Sequence, residues 1–165
     1  MIRRAAPTDA EALGALQLSC WHEAYGELAP PGALDAETLK RRVEVWRGLI
    51  EREMDILVLE LEEGLDGFAC FGPARDDDAG APTGELYALY LRAARQGVGL
   101  GRTLHDRALA SLAEAGCGAA ILWVAETNDP ARRFYTEAGW SADGRAGSRP
   151  MRWGLDELRY RRDLP

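Results

Sequence analysis

Three glycines at alternate positions, Gly97, Gly99 and Gly101, separate a strand-like run at residues 85–91 from a helical pattern that continues to Glu114. This strand, glycine turn and helix constrain the fold more than any other part of the chain. Leu100, Leu104, Ala108 and Leu112 recur on one helical face after the turn. Glu85 opens the strand and by alternation shares a face with Tyr87 and Leu89. Glycine lets the backbone come close to a ligand, because no Cβ stands in the way. The first N–H groups of the following helix are unpaired and carry the positive end of its dipole. Such a terminus favours a phosphate or pyrophosphate.

The flanking segments alternate in period. Residues 2–5 form a short run, and Thr8 or Asp9 is placed to cap a helix. Leu13, Leu16, Cys20, Trp21 and Tyr25 follow at helical spacing up to Gly26. A second helix is expected over residues 35–52, with Leu39, Val43, Trp46 and Ile50 in register. Residues 56–60 and 65–71 read as a hairpin turned by Glu62, Glu63 and Gly64. Residues 76–82, with Asp76, Asp77 and Asp78, read as a solvated surface loop. Residues 121–125 read as an apolar strand. Asn128, Asp129 and Pro130 start a short helix that stops at Gly139. Residues 156–163 read as a last strand. The expected order is β-α-α-β-β-β-α-β-α-β, which argues for a single α/β (α+β) domain over residues 1–165 with a mixed sheet.

Several phosphate-binding folds use a turn of this kind. A P-loop requires Gly-Lys-Ser/Thr, whereas Gly101 precedes Arg102 and Thr103. A dinucleotide-binding fold places its glycines after the first strand and an acid at the end of the next. Here the glycines come late, and only Glu126 answers for the acid. Glycines that serve strand–helix packing alone are the third possibility.

Charge narrows the partners. Lys and Arg number 20 against 27 Asp and Glu, a net charge of −7. That sign disfavours non-specific nucleic-acid binding and anionic membranes. No apolar stretch approaches the roughly 20 residues that cross a bilayer. The first residues lack the apolar centre of a signal peptide. Cys20, Cys70 and Cys117 fit neither a disulfide framework nor a zinc site, so reduced, core-filling thiols in a cytoplasmic protein are expected, with no metal.

The ordered set of motifs resembles the GCN5-related N-acetyltransferases (GNAT). Gln96-x-x-Gly99-x-Gly101 matches that family's Gln/Arg-x-x-Gly-x-Gly/Ala signature. Leu122-Trp123-Val124, Asn128, Phe134-Tyr135 and Gly139-Trp140 follow in the family's order. The resemblance covers residues 2–140 and is strongest over residues 84–140.

The resemblance implies a mostly antiparallel central sheet flanked by helices, and acetyl-CoA as donor. Its pantetheine contacts fall on Leu89, Tyr90 and Leu91, and its pyrophosphate turn on Gln96, Gly97, Val98, Gly99, Leu100, Gly101 and Arg102. Asn128 and Tyr135 complete the implied cofactor site. The implied reaction is direct acetyl transfer to an amine, with Tyr135 as acid for the departing thiolate and Glu85 or a water relay taking the amine's proton. Phe134 is expected to turn into the core, about 100° from Tyr135. His22 and His105 are further ionisable groups, with His105 more simply structural. Protein N-terminal acetyltransferases often carry Glu five residues before the Asn; Trp123 stands there, which counts against that subclass. The acceptor is expected to be a small-molecule amine chosen by the first two helices, where Trp21, Tyr25, Trp46, Glu23 and Glu27 lie. A protein Lys or N-terminus as acceptor, a non-catalytic acyl-CoA-binding module and a turn serving another nucleotide remain the alternatives. A homodimer is expected through residues 157–163, read as an exposed strand edge.

Overall fold

A computed structural model describes residues 1–62, 64–80, 82–146 and 155–165. Glu63 of the expected hairpin turn and Ala81 of the expected loop lie outside these. The strands are β1 (Ile2–Arg4), β2 (Asp55–Leu61), β3 (Gly64–Pro73), β4 (Thr83–Leu91), β5 (Ala119–Ala125), β6 (Ser141–Ala146) and β7 (Glu157–Asp163). The helices are α1 (Ala10–Tyr25), α2 (Ala36–Glu51), α3 (Leu100–Glu114) and α4 (Asp129–Glu137). The sheet order is β1-β2-β3-β4-β5-β7-β6, and the registered pairs are antiparallel except β4 with β5. This is the expected mixed, mostly antiparallel α/β architecture. The chain divides into two compact units, Met1–Phe71 with Ala88–Ala108 and Gly72–Tyr87 with Leu109–Pro165.

In the first unit, β2 pairs with β1 and with β3, and Val58, Phe68 and Ala69 are fully buried. Asp9 does not cap α1 with its side chain. Its carboxylate instead accepts from the Ala6 N–H at 2.7 Å and from both Arg3 Nη atoms at 2.7 and 3.0 Å. Arg3 Nε also donates to Glu60 at 2.8 Å, which ties β1 to β2 and to the entry of α1. Asp35 caps α2 by accepting from the Thr38 N–H at 2.8 Å. α1 and α2 cross closely at Gly14, where a methyl group would stand 2.9 Å from Val43 Cγ2. Trp46 Nε1 donates to Gln17 at 3.0 Å, and its ring meets Phe68 edge-on at 4.8 Å.

In the second unit, β4 and β5 run parallel with Thr83, Gly84 and Glu85 opposite Ala119, Ala120 and Ile121. Helix α3 packs on β4 at Gly84, where a methyl group would lie 2.7 Å from Leu112 Cδ2. Two sequence expectations change here. Residues 141–146 form β6, although their polar sequence lacks the alternation of a buried strand. β7 is therefore no edge: it pairs with β5 on one side and β6 on the other, so it does not offer the exposed strand edge expected of it. Among the described residues, no helix is long and apolar enough to cross a membrane.

Candidate functional site

The glycine turn belongs to the first unit. Gly97 and Gly99 have φ of +78° and +86°, a region that only glycine enters cheaply. A methyl group at either would meet nothing within 4 Å, so the turn faces open space. Thr103 N–H is hydrogen-bonded to Gly99 O at 3.0 Å, four residues back. The N–H groups of Leu100, Gly101 and Arg102 precede it and have no such intrahelical partner. Val98 beside them is 72% exposed, an unusual state for an apolar side chain. These features are those an anion cradle with an apolar lip requires.

The approach to the turn is pinned. Gln96 Nε2 donates to Leu91 O at 3.2 Å, so this signature residue closes the end of β4. Cys20 Sγ reaches the same carbonyl at 3.7 Å, and burial pushes its thiol up to about 11, which leaves it protonated and inert at neutral pH. The Tyr90 hydroxyl accepts from Trp21 Nε1 at 2.7 Å. Burial raises the Tyr90 pKa against the opposing effect of that hydrogen bond. β3 approaches this strand end at Gly67, where a methyl group would stand 2.9 Å from Leu91 Cδ1 and 3.0 Å from Tyr90 O. Leu89 is half-buried on the same strand. Arg102 Nε binds both oxygens of Asp106 at 2.9 Å, one turn further along α3. The fully buried His105 presents Nδ1 to Asp106 at 2.7 Å. Burial pushes the Asp106 carboxyl up, but the His105 and Arg102 contacts outweigh it and hold it below the usual range.

Glu85, Asn128 and Tyr135 belong to the second unit. Asn128 Oδ1 accepts from the Ala131 N–H at 3.2 Å and caps α4, with Pro130 in the first turn. Tyr135 is 9% exposed, with Trp140 and Phe134 edge-on at 6.1 and 5.3 Å. Phe134 is the more exposed of the two, so the inward position expected for it belongs to Tyr135. Glu85 is 1% exposed rather than solvated. Its Oε2 accepts from the Arg75 N–H at 2.9 Å and Arg75 Nε at 3.1 Å, while Arg75 Nη2 binds Oε1. The Arg75 guanidinium also lies 4.3 Å from the Tyr87 ring centroid. Glu85 therefore sits beneath Arg75, which must move before the carboxylate can take a proton from an amine.

Sequence reading missed two groups. Asp76 and Asp78 are paired rather than simply solvated: Arg159 Nη1 donates to them at 3.1 and 2.7 Å, and Arg159 Nε to Asp143 at 2.7 Å. Asp66, a lone acid between apolar strand residues, is buried against Arg92 and Arg95. That isolated charge was the only available signal. His22 Nε2 lies 2.9 Å from Leu34 O, within the exposed stretch after α1. Among the described residues, no group of His, Cys, Asp and Glu is arranged to hold a metal.

Comparisons with known proteins bear on the family and the fold. The model of the acetyltransferase (GNAT) family matches residues 15–140. The uncharacterized N-acetyltransferase YuaI of Bacillus subtilis strain 168 is 32% identical over 135 residues, 81% of this chain and 76% of YuaI. Among solved structures, the paia N-acetyltransferase of Thermoplasma acidophilum in complex with coenzyme A aligns with a TM-score of 0.80 at 18% identity, covering 99% of this chain and 98% of that one. The structure of yncA from Salmonella typhimurium with its cofactor acetyl-CoA aligns at 0.72 and 23% identity, covering 100% and 94%. At these identities the two structures speak for the fold.

Proposed function

Because the chain belongs to the GNAT acetyltransferase family, we propose that it moves an acetyl group from acetyl-CoA directly to a primary amine of a small molecule. The observation that carries this reading is the open turn at Gly97 and Gly99 ahead of α3. Its residues fit the donor: main-chain N–H groups from Gly97 to Arg102 would hold the pyrophosphate, and Leu89 to Leu91 the pantetheine. Acetyl-CoA, when bound, supplies an activated acyl carbon and a thiolate leaving group.

Tyr135 serves as the proton donor. Its phenolic O–H can donate to a sulfur that gains charge. Asn128 holds the start of its helix. The amine must lose a proton before it attacks. Of the two routes, Glu85 or water, the Arg75 pairing of Glu85 favours water. The protein works in the cytoplasm, without nucleic-acid or membrane partners. A pairing of copies through the sheet edge would use an outer strand, β1 or β6, rather than β7.

The test is a panel of amines incubated with acetyl-CoA and the full chain, with free thiol and acetylated product measured together. Thiol release that tracks one class of amine supports the reading. Acetyl-CoA binding without turnover on any amine would reduce the protein to an acyl-CoA-binding module.

A further inference from the structure

Polar side chains of α1, α2 and β4 in the first unit hydrogen-bond in a fixed direction. Trp46 Nε1 donates to Gln17 Oε1 at 3.0 Å, and Trp21 Nε1 donates to the Tyr90 hydroxyl at 2.7 Å. An indole can only donate, so the Gln17 carbonyl is the acceptor of its pair and the amide nitrogen keeps its donors. That amide acts on the Tyr90 oxygen in the same sense as Trp21, favouring negative charge on it. N–H groups from two side chains thus address one phenol oxygen, and the hydroxyl proton must point away from both. Among the described residues that proton meets no acceptor. Burial raises the Tyr90 pKa, so the proton is in place at neutral pH.

Gln17, Trp21 and Trp46 are buried, whereas Tyr90 is half-buried. A polar proton in such surroundings calls for a partner. The acetyl-CoA reading gives the main chain of residues 89–91 to pantetheine. The Tyr90 side chain leaves that strand toward α1, against Trp21, and its ring lies 5.1 Å from that of Phe68. Phe68 in turn meets Trp46 of α2. The hydroxyl therefore stands on the side of α1 and α2, the helices expected to choose the acceptor. An O–H whose oxygen already accepts is polarised toward donation. It matches a hydroxyl, amide or carboxylate oxygen. A plain alkylammonium has donors only and offers it nothing.

We propose that the Tyr90 hydroxyl, oriented by Trp21 and Gln17, selects the acceptor by donating a hydrogen bond to an oxygen close to its amine. The substrate class is then an amino alcohol, amino amide or amino acid rather than an alkylamine. Trp21 and Gln17 are positioning residues that act through Tyr90. The inference rests on the acetyl-transfer reading and deepens it by naming the chemistry that stands beside the amine.

The experiment sorts the amine panel into pairs of one skeleton with and without the oxygen, such as phenylalaninol and phenethylamine, and measures kcat and KM for each with acetyl-CoA and the full chain. The wild type is expected to favour the oxygen-bearing member by about 3- to 10-fold in kcat/KM, the worth of one hydrogen bond. Tyr90→Phe keeps the ring and should bring that ratio close to one by raising KM for the oxygen-bearing amine alone. Trp21→Phe keeps the hydroxyl but removes its partner, and should lower the ratio part of the way. It also covers the case in which Tyr90→Phe does not fold. Equal use of both members by the wild type, or an unchanged ratio in the folded variants, overturns the assignment. A rise confined to the KM for acetyl-CoA gives the hydroxyl to the donor and overturns it as well. Binding of acetyl-CoA with turnover of no amine in the panel overturns the acetyl-transfer reading itself, and this inference with it.

Discussion

Trp123 donates its indole N–H to Asp76 Oδ2 across 3.0 Å. The same oxygen accepts from Arg159 Nη1, whose side chain is 7% exposed and also reaches Asp78 and Asp143. A stretch that looks like a solvated acidic loop is thereby fastened to β5, β7 and β6. Arg159→Met would remove the buried cation that the partly exposed carboxylates of Asp76, Asp78 and Asp143 share. A loss of about 1–3 kcal/mol is expected, measured by urea unfolding. Asp78→Asn, at a side chain 41% exposed, should cost far less.

Gly99→Ala places a methyl group in open space at a φ of +86°. The strain alone is worth about 1–3 kcal/mol of stability. Gly116 has the same φ and the same open surroundings after α3 ends. Gly116→Ala is therefore the control. Both variants should lose similar stability in thermal unfolding, but Gly99→Ala alone should weaken coenzyme A binding, because its methyl group obstructs the cradle.

Gly67→Ala acts through β3. Its methyl group would press on Leu91 Cδ1 and on the Tyr90 carbonyl, and the carbonyl cannot rotate aside as a side chain can. Overpacking of this kind costs about 1–3 kcal/mol. It should also displace the strand end assigned to pantetheine and raise the KM for acetyl-CoA.

Tyr135→Phe keeps the ring against Trp140 and removes only the hydroxyl. With an identified acceptor, kcat is expected to fall about 10- to 1000-fold with little change in acetyl-CoA affinity. Full turnover would return Tyr135 to a packing role. Glu85→Gln separates the two routes for the amine's proton. A rate loss concentrated at pH values where the amine is protonated assigns the base to Glu85. A loss of stability with an unchanged pH–rate profile assigns Glu85 to holding Arg75.

The Arg3 guanidinium beside Asp9 holds its carboxyl below the usual carboxylate value. A depressed native pKa contributes stability that is complete above the unfolded pKa of about 3.9 and is lost as pH falls through the native value. Unfolding followed between pH 6 and pH 2 should show this loss, and Arg3→Met should reduce the slope below about pH 4.

Local pattern by itself determined the helices, the apolar strands and the glycine turn. The periods of Leu13 to Trp21 and of Leu100 to Leu112 set helices α1 and α3, because one face of each must leave water. Asn128 with Pro130 announced the cap of α4, since the cap bonds within four residues of the chain. The motif order also placed the chain in its family. Tertiary structure alone decided the partners of the charged groups. Glu85 could have been a free base until Arg75 closed over it, and Asp76 a solvated acid until Arg159, 83 residues away, reached it. β6 has no apolar alternation to announce it, and its pairing with β7 removes the edge that β7 had seemed to offer. Periodicity encodes which face is buried; the choice of an ion-pair or strand partner across many residues is a property of the folded chain.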